Sequence, residues 1–120
     1  MKRRLASQHG SNDFDRQSVL YLRGDVNYSR VHLQTVQILV SSRTLKWYAD
    51  RWPDFVRVHK GALVNPAYAS QLDLASSQRS PSYLVMSNQV QLAISRRQLP
   101  LVCEQLGTIK LQSSRLLRSN

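Results

Sequence analysis

The stretch Phe55-Val56-Arg57-Val58-His59-Lys60-Gly61-Ala62-Leu63-Val64-Asn65-Pro66 decides how the rest of the chain is interpreted. Its first four residues place Arg57 among β-forming apolar side chains, which predicts a strand with one charged side chain directed toward water. The polar residues His59, Lys60 and Gly61 follow. A second apolar run then ends at Asn65-Pro66, a turn signal, because proline keeps the preceding residue out of helical backbone conformations. A short basic connection is therefore held between two buried anchors, and such connections often carry function.

Length and composition predict one globular domain with a basic surface. The chain has 120 residues, and 42% of them are hydrophobic, enough to form a core and to exclude wholesale disorder. There are 17 basic residues against 7 acidic ones, a formal net charge of +10. Four of the 17 are lysine and the other 13 are arginine, whose planar fork suits phosphate and guanine. The expected partner is a polyanion: DNA, RNA or an anionic membrane surface.

Several other classes of protein are not indicated by the sequence. No apolar run approaches the ~20 residues of a membrane-spanning helix, and no apolar segment follows the basic N-terminus to form a signal peptide. The single cysteine, Cys103, excludes an intramolecular disulfide and is typical of a cytoplasmic protein; its position predicts a buried structural thiol. Three scattered histidines give no zinc spacing, and no Walker or GxGxxG loop is present. We therefore expect neither catalysis nor a metal or other cofactor.

The order of the elements predicts a mainly β domain. Residues 1–17 are expected to form a flexible basic and polar tail, or alternatively a basic arm that adds phosphate contacts. The domain is predicted over 18–107, and 108–120 are expected to form a C-terminal tail or a short amphipathic helix. Alternating apolar residues predict antiparallel strands, with a hairpin turn at Gln34-Thr35 that lacks the usual Asn-Gly or Asp-Gly. A short central helix is predicted from Leu45 to Trp52 and a C-terminal helix that begins between Arg96 and Leu99 and stops at Gly107.

Three polar clusters border these elements and could carry binding chemistry. They are Asn27-Tyr28-Ser29-Arg30, Arg57 with His59 and Lys60, and Ser95-Arg96-Arg97-Gln98. Arginine and lysine can donate to guanine O6 and N7, asparagine can pair with adenine, and hydroxyls and further cations can hold phosphates. Other interpretations stay open at this point: Arg57 could be a solvated strand residue, His59 a structural hydrogen-bonding group at a turn, and His32 an exposed residue of the sheet.

The order of the motifs resembles the LytTR DNA-binding domain of bacterial transcription regulators. The run "FVRVHKGALVNPAYAS" follows "LKWYADRWPD" and precedes "QLAISRRQL". In the family, a helix ending in Leu-Pro is followed by Phe-x-Arg-x-His-Arg-Ser-x-Leu-Val-Asn and later by Ser-Arg-Arg. The likeness covers Ser18 to Leu106. In this chain Lys60-Gly61 replaces the family's Arg-Ser. The change removes one hydroxyl, and a lysine ammonium lacks the planar pair of donors with which an arginine guanidinium binds two acceptors at once.

The resemblance implies an elongated, mostly antiparallel β fold whose loops enter successive major grooves of duplex DNA. Base contacts would come from Asn27, Lys60 and Arg97. Phosphate or supporting contacts would come from Ser29, Arg30, Arg57, His59, Ser95 and Arg96. The DNA sites would be paired, with a weak homodimer on DNA. Most members carry a receiver domain before this part, for which the 17 preceding residues are too few, so we expect a stand-alone regulator or an excised domain.

Two alternative functions also follow from the sequence. An RNA- or single-strand-binding module would need exposed aromatic stacking platforms, for which Tyr21, Tyr28, Tyr68 and Tyr83 are the candidates. A protein-interaction module would use its basic residues only for solubility. Competition between duplex and single-stranded nucleic acid would distinguish the first alternative from duplex binding. Binding that does not change with salt concentration would favour the second.

Overall fold

A computed structural model of the chain describes residues 14–77 and 79–107. Within them, the chain forms eight strands and two helices. The strands are β1 (Val19–Gly24), β2 (Ser29–Leu33), β3 (Ile38–Ser41), β4 (Val56–His59), β5 (Ala62–Val64), β6 (Ala69–Asp73), β7 (Ser82–Met86) and β8 (Gln91–Ile94), and the helices are α1 (Leu45–Arg51) and α2 (Leu99–Gly107). Short 3-10 turns lie at Arg16–Ser18 and Pro66–Tyr68.

The strands form two antiparallel sheets. One has five strands in the order β3-β2-β1-β5-β4, and the other has three in the order β6-β7-β8. The molecule measures 52 × 25 × 21 Å along its principal axes. The predicted fold class, elongated antiparallel sheets with a short central helix and a C-terminal helix, is therefore confirmed.

The two faces of the five-stranded sheet are buried against different partners. On one face, Val19, Leu22, Val31 and Leu63 pack against α1. On the other, the β4 and β5 side chains pack against the three-stranded sheet and α2, forming a second core around Val58, Leu84 and Met86. Burial of apolar side chains on both faces holds this sheet in place between the elements that cover it.

A bulge in β1 determines which of the two cores each of its four apolar residues joins. The register against β2 shifts between Val19 and Tyr21, so that Leu20 and Tyr21 belong to the same core. Val19 and Leu22 belong to the other core, on the α1 side. Strict alternation would put Val19 with Tyr21 on one face and Leu20 with Leu22 on the other, and the bulge instead puts Leu20 and Tyr21 together.

Among the described residues, packing against the domain already includes Phe14, before the expected domain start at residue 18. The Phe14 ring lies edge-on to Trp52, with 6.2 Å between ring centroids, and 6.4 Å from the Tyr48 ring. Asp15 caps the following 3-10 turn by accepting a hydrogen bond from the Gln17 backbone N–H. Residues 14–17 thus contact the domain, whereas the remaining residues of both expected tails, 1–13 and 108–120, lie outside the described residues.

Candidate nucleic-acid interface

Three connections that are distant in sequence meet at one end of the five-stranded sheet. The Gly24 N–H at the end of β1 donates to the Gly61 carbonyl oxygen in the β4–β5 turn, at 2.9 Å. The Ser95 N–H after β8 donates to the Val58 carbonyl oxygen of β4, also at 2.9 Å. These two backbone hydrogen bonds fix the β1–β2, β4–β5 and β8–α2 connections relative to one another.

The β1–β2 connection presents Asn27 to solvent. The Asp25 N–H donates to the Tyr28 carbonyl oxygen at 2.8 Å, which closes a tight turn with Asn27 exposed within it. Arg30, on β2, is exposed, and its guanidinium lies 5.9 Å from the centre of the Tyr28 ring. An amide and a guanidinium are thus displayed side by side, as the sequence predicts for this cluster.

Ser29 does not have the surface that a phosphate contact needs. The residue is fully buried, and its hydroxyl donates to the Arg43 carbonyl oxygen at 2.8 Å. The bond ties the start of β2 to the segment before α1. The expected phosphate contact is therefore corrected: Ser29 supports the connection from inside, because a buried hydroxyl that already has a partner cannot reach a ligand in solution.

The β4–β5 turn is held from below by two side chains and leaves Lys60 exposed at its tip. The Arg57 guanidinium donates to the carbonyl oxygens of His59 at 3.2 Å and of Lys60 at 2.8 Å. His59 Nδ1 accepts a hydrogen bond from the Gly61 N–H at 2.9 Å. Arg57 and His59 therefore shape the turn, and the Lys60 ammonium is the group that the turn presents.

Gly61 suits this turn because a side chain there would crowd the histidine ring. A Cβ at Gly61 would lie 3.2 Å from His59 Cε1, closer than ordinary van der Waals contact. Partial burial, followed by the positive charges of Arg23 and Arg57, lowers the pKa of His59. The neutral ring is also the form that can accept the Gly61 N–H, so geometry and charge favour the same protonation state.

The β8–α2 connection presents two adjacent arginines. The Ser95 hydroxyl accepts a hydrogen bond from the Gln98 N–H at 3.2 Å, and the Ser95 carbonyl oxygen accepts from the Leu99 N–H at 2.9 Å. The chain between them forms a tight turn from which Arg96 and Arg97 extend into solvent. Helix α2 begins only at Leu99, the later of the two starts that the sequence allows.

Arg23 belongs to the same end, although sequence analysis missed it. It is exposed, and it pairs directly with Arg30 across β1 and β2 and with Ala62 across β1 and β5. Its one signal in the sequence is its place just before the Gly24-Asp25 turn. Two arginines directly opposite each other repel, which is unfavourable for the sheet unless an anion lies between them.

We call the group Arg23, Asn27, Arg30, Lys60, Arg96 and Arg97 the basic end. The structure brings all three predicted base-contacting residues, Asn27, Lys60 and Arg97, to it on exposed connections. Of the predicted phosphate or supporting residues, Arg30 and Arg96 are exposed there and Ser95 is partly exposed. Arg57, His59 and Ser29 lie beneath it.

Two other kinds of site, a metal centre and a membrane span, were sought among the described residues. Residues 14–77 and 79–107 contain no cluster of three or more histidine, cysteine, aspartate or glutamate side chains that could hold a metal ion. Over the same residues, no helix is long and apolar enough to cross a membrane. The arrangement as a whole is a rigid β scaffold that displays cations and one amide on three tied connections.

Comparison with known protein families places this chain in one of them. A sequence model of the LytTr DNA-binding domain matches residues 13–107, most of the chain. The chain therefore belongs to the LytTR family, a family of DNA-binding domains, as the sequence motifs predict. A search of curated proteins gives no match.

Solved structures include one with the same fold. It is the LytTr DNA-binding domain of a Bacillus cereus protein provisionally described as a methyl-accepting/DNA response regulator. The two structures superpose with a TM-score of 0.68 at 18% sequence identity, over 81% of this chain and 92% of the other. At this identity the likeness concerns the fold, and the roles of individual side chains have to be argued from this chain's own geometry.

Proposed function

We propose that the chain is the sequence-specific duplex-DNA-binding part of a cytoplasmic transcription regulator and that the basic end reads the major groove through its loops. The observation that carries this proposal is the pair of backbone hydrogen bonds, Gly24 to Gly61 and Ser95 to Val58, that ties three cationic connections together. Because the connections are tied, their side chains can approach one DNA face without first losing the conformational entropy of three independent loops.

The exposed tips have the donors and acceptors that base recognition needs. Arg97 can donate two parallel hydrogen bonds to guanine O6 and N7, and Lys60 can donate to the same acceptors as a point charge. The Asn27 amide can accept from adenine N6 and donate to N7. In this proposal one residue from each connection contacts a base edge.

Phosphate contacts come from the flanks of the same surface. Arg30 and Arg96 are exposed cations beside Asn27 and Arg97, and the Ser95 hydroxyl is partly exposed. Arg57 and His59 act indirectly by holding the Lys60 turn in place. Phosphate contacts position the domain on the duplex, and base contacts supply the sequence preference. The sites would be paired, with two copies forming a weak homodimer on DNA.

A single-strand or RNA-binding function finds less support among the aromatic side chains. Tyr21 is buried and stacks on His32 with 4.5 Å between ring centroids. The Tyr68 hydroxyl donates to the Gln17 carbonyl oxygen at 2.6 Å at the opposite end of β1. Neither ring is available beside the basic end, so a row of bases would find no stacking platform from these two residues.

Selection from a random duplex library tests the proposal and identifies the site at the same time. We expect a defined sequence to be enriched. Replacing Arg97 by alanine should then cost about 1–3 kcal/mol on the enriched site and relax the preference at one base position. Affinity for random duplex should change much less, because a base contact contributes little there.

Arg16→Ala is the matched control, since Arg16 lies before β1 at the other end of the sheet and pairs with Asp54 at 3.4 Å. It should leave both affinity and preference unchanged. An Arg97→Ala variant that loses the same free energy on enriched and random duplex would contradict direct readout, and tighter binding to single-stranded competitor would contradict the duplex target.

A further inference from the structure

The five-stranded sheet has two outer edges, and within the described residues only the one at β4 is covered. β4 carries Arg57, and its Val58 carbonyl oxygen accepts a hydrogen bond from the Ser95 N–H at 2.9 Å. At the other edge, β3 is the terminal strand of the described sheet and pairs with β2 alone. An open edge is a template to which a further strand can be added.

Two residues of β3 direct their backbone hydrogen-bonding groups away from β2. The Leu33 N–H donates to the Gln37 carbonyl oxygen, and bonded and non-bonded pairs alternate along an antiparallel ladder. Ile38 and Val40 therefore lie at the positions of the ladder that do not bond β2. Their N–H and C=O groups point to the outer edge, where a further strand would bond them.

The side chains of the same two residues are apolar and exposed. Ile38 is 54% exposed and Val40 is 67% exposed, and because they are two positions apart on a strand they lie on one face. Natural edge strands commonly carry a charge, a proline or a bulge that prevents pairing. The run from Gln34 to Ser42 has no charged residue and no proline, and the register of β3 against β2 has no shift. This edge therefore lacks the features that keep edge strands apart.

We propose that a second copy of this chain occupies the β3 edge, with the two β3 strands antiparallel and related by a two-fold axis through Leu39. In this register Ile38 of one copy lies opposite Val40 of the other. Every N–H and C=O group that these two residues direct outward then has a partner. Their side chains also pack against each other across the two strands, because residues directly opposite lie on the same face.

Charge favours a second copy of this edge over a charged partner strand. The same register pairs Gln37 with Ser41 and Val36 with Ser42, so no two charged side chains face each other across the two strands. An acidic strand would find no cation on β3 itself. With 17 basic residues against 7 acidic ones, contacts between two copies elsewhere would bring like charges together more often than opposite ones. The neutral β3 edge is thus complementary to itself.

The two basic ends of such a dimer point in opposite directions, because the two-fold axis is perpendicular to the sheet. The contact therefore differs from the weak pairing proposed for copies on paired DNA sites. It does not depend on the DNA-binding proposal, since Ile38, Leu39 and Val40 lie outside the basic end.

Sedimentation velocity of the full chain over a range of concentrations tests the proposal. One added strand is a small interface, so we expect a reversible dimer with a dissociation constant on the order of 10–100 μM. Raising the salt concentration should tighten the dimer, because it screens the repulsion between two chains of net charge +10. Hydrogen exchange of the Ile38 and Val40 amides should slow as the dimer forms.

Val40→Lys places a charge on the edge. It should raise the dissociation constant about a hundredfold, because the change occurs twice in a two-fold interface and each valine that is no longer buried costs about tenfold. Val40→Thr keeps the β-branched shape needed for the strand and should raise the constant about tenfold, since one methyl group is lost from each of the two contacts. Leu101→Lys is the matched control, because Leu101 is also apolar and exposed but lies on α2. It should leave the dissociation constant unchanged.

Each of three results would overturn the proposal. The first is a wild-type chain that stays monomeric at ~1 mM, well above the expected dissociation constant. The second is a dimer that Leu101→Lys weakens as much as Val40→Lys does, or that Val40→Thr leaves unchanged. The third is slow exchange of the Ile38 and Val40 amides at concentrations where the chain is monomeric, since the edge would then be occupied by a segment of the same chain.

Discussion

At the scale of single residues, the fold lowers the pKa of two histidines. Burial, and then the charges of Arg23 and Arg30, lower the pKa of His32, whose Nε2 is buried without a hydrogen-bond partner. Burial and the charges of Arg23 and Arg57 lower the pKa of His59. Each ring therefore takes up a proton less readily in the folded protein than in the unfolded chain.

The free energy of unfolding should decrease as the pH falls below about 6.5, the ordinary histidine pKa. Because both folded-state pKa values are lowered, the unfolded chain binds protons first, and each proton that it binds favours unfolding. The stabilisation is fully present above that pH and is lost as the pH falls toward the folded-state pKa values. Urea unfolding at pH 7.5, 6.5 and 5.5 measures the change.

His59→Asn tests which group is responsible. An asparagine amide oxygen can still accept from the Gly61 N–H, but the side chain no longer titrates, so the pH dependence should become shallower. His32→Phe keeps a ring against Tyr21 and should have a similar effect. A wild-type free energy of unfolding that stays constant between pH 7.5 and 5.5 contradicts the argument.

The site residues show which roles a sequence can reveal. The three polar clusters were predicted from cations and amides at the edges of regular elements, and the resemblance to the LytTR family selected Asn27, Lys60 and Arg97 within them; all three are exposed. Ser29 was assigned to phosphate by the same reasoning and is buried. Its partner, the Arg43 carbonyl oxygen, lies 14 positions away in sequence, and no local pattern indicates that contact.

At the scale of elements, two hairpins use the same turn with an unfavourable residue in it. In the β2–β3 hairpin, the Leu33 N–H donates to the Gln37 carbonyl oxygen, and Val36 has φ of 77°. In the β7–β8 hairpin, Gln89 takes the corresponding position with φ of 75°. Glycine is the usual residue there, and a β-branched side chain is the least suited to left-handed backbone.

Val36→Gly should raise the free energy of unfolding by about 1 kcal/mol. A non-glycine residue in left-handed backbone costs roughly 1–2 kcal/mol, and the greater freedom of glycine in the unfolded chain offsets part of the gain. Val36 is 88% exposed, so little packing is lost with its side chain. Chemical denaturation measures the difference, provided that the m value, the slope of the unfolding free energy against denaturant concentration, is the same in both proteins.

Thr35→Gly is the matched control, because Thr35 is the neighbouring turn residue and does not have positive φ. It should lower stability, since glycine adds unfolded-state freedom there without relieving strain. If both glycine variants shift stability in the same direction by the same amount, the backbone of Val36 is not the reason.

The aromatic cluster around α1 extends to Phe14. Tyr48, Trp52 and Phe55 form a chain of ring contacts 4.8–4.9 Å apart, and Phe14 closes its outer side. Phe14→Ala should lower the free energy of unfolding by about 2 kcal/mol, less than the ~3–5 kcal/mol of a fully buried phenylalanine because Phe14 is only partly buried. Phe14→Leu should recover most of the loss. Equal free energies of unfolding in urea for the Phe14→Ala variant and the wild type would contradict this packing role.

The elements themselves were largely predictable, and their irregularities were not. Alternation of apolar residues located β2, β3 and β8, and the central helix was predicted over Leu45 to Trp52, close to the observed Leu45–Arg51. The bulge in β1 was not indicated, because four consecutive apolar residues fit a strand buried on both faces with or without a bulge. Phe14 was assigned to the tail because its partners, Tyr48 and Trp52, lie more than 30 positions away.

At the scale of the whole molecule, the basic end exists because of the order of the strands. β1 lies between β2 and β5, so the β1–β2 and β4–β5 turns emerge from the same end of the sheet. The sequence predicted three basic clusters, but only long-range pairing determines whether they meet. A different strand order, with the same elements and the same net charge, would have separated them.

DNA affinity should depend steeply on salt, in proportion to the phosphates that the basic end neutralises. The logarithm of the binding constant is expected to fall with the logarithm of salt concentration by ~0.9 for each phosphate contact. Arg30→Gln should reduce that slope by about 0.9 and weaken binding equally on enriched and random duplex, because Arg30 is proposed to contact phosphate and no base. The same change removes the charge directly opposite Arg23, so the free energy of unfolding should rise.

Arg16→Gln is the control for the salt dependence. It lowers the net charge equally but lies at the other end of the sheet, so the slope of its binding constant against salt should match that of the wild type. Fluorescence anisotropy at salt concentrations between 50 and 300 mM distinguishes the two; the Debye length is ~8 Å near the middle of that range. Equal slopes for both variants would mean that net charge, rather than the basic end, governs binding.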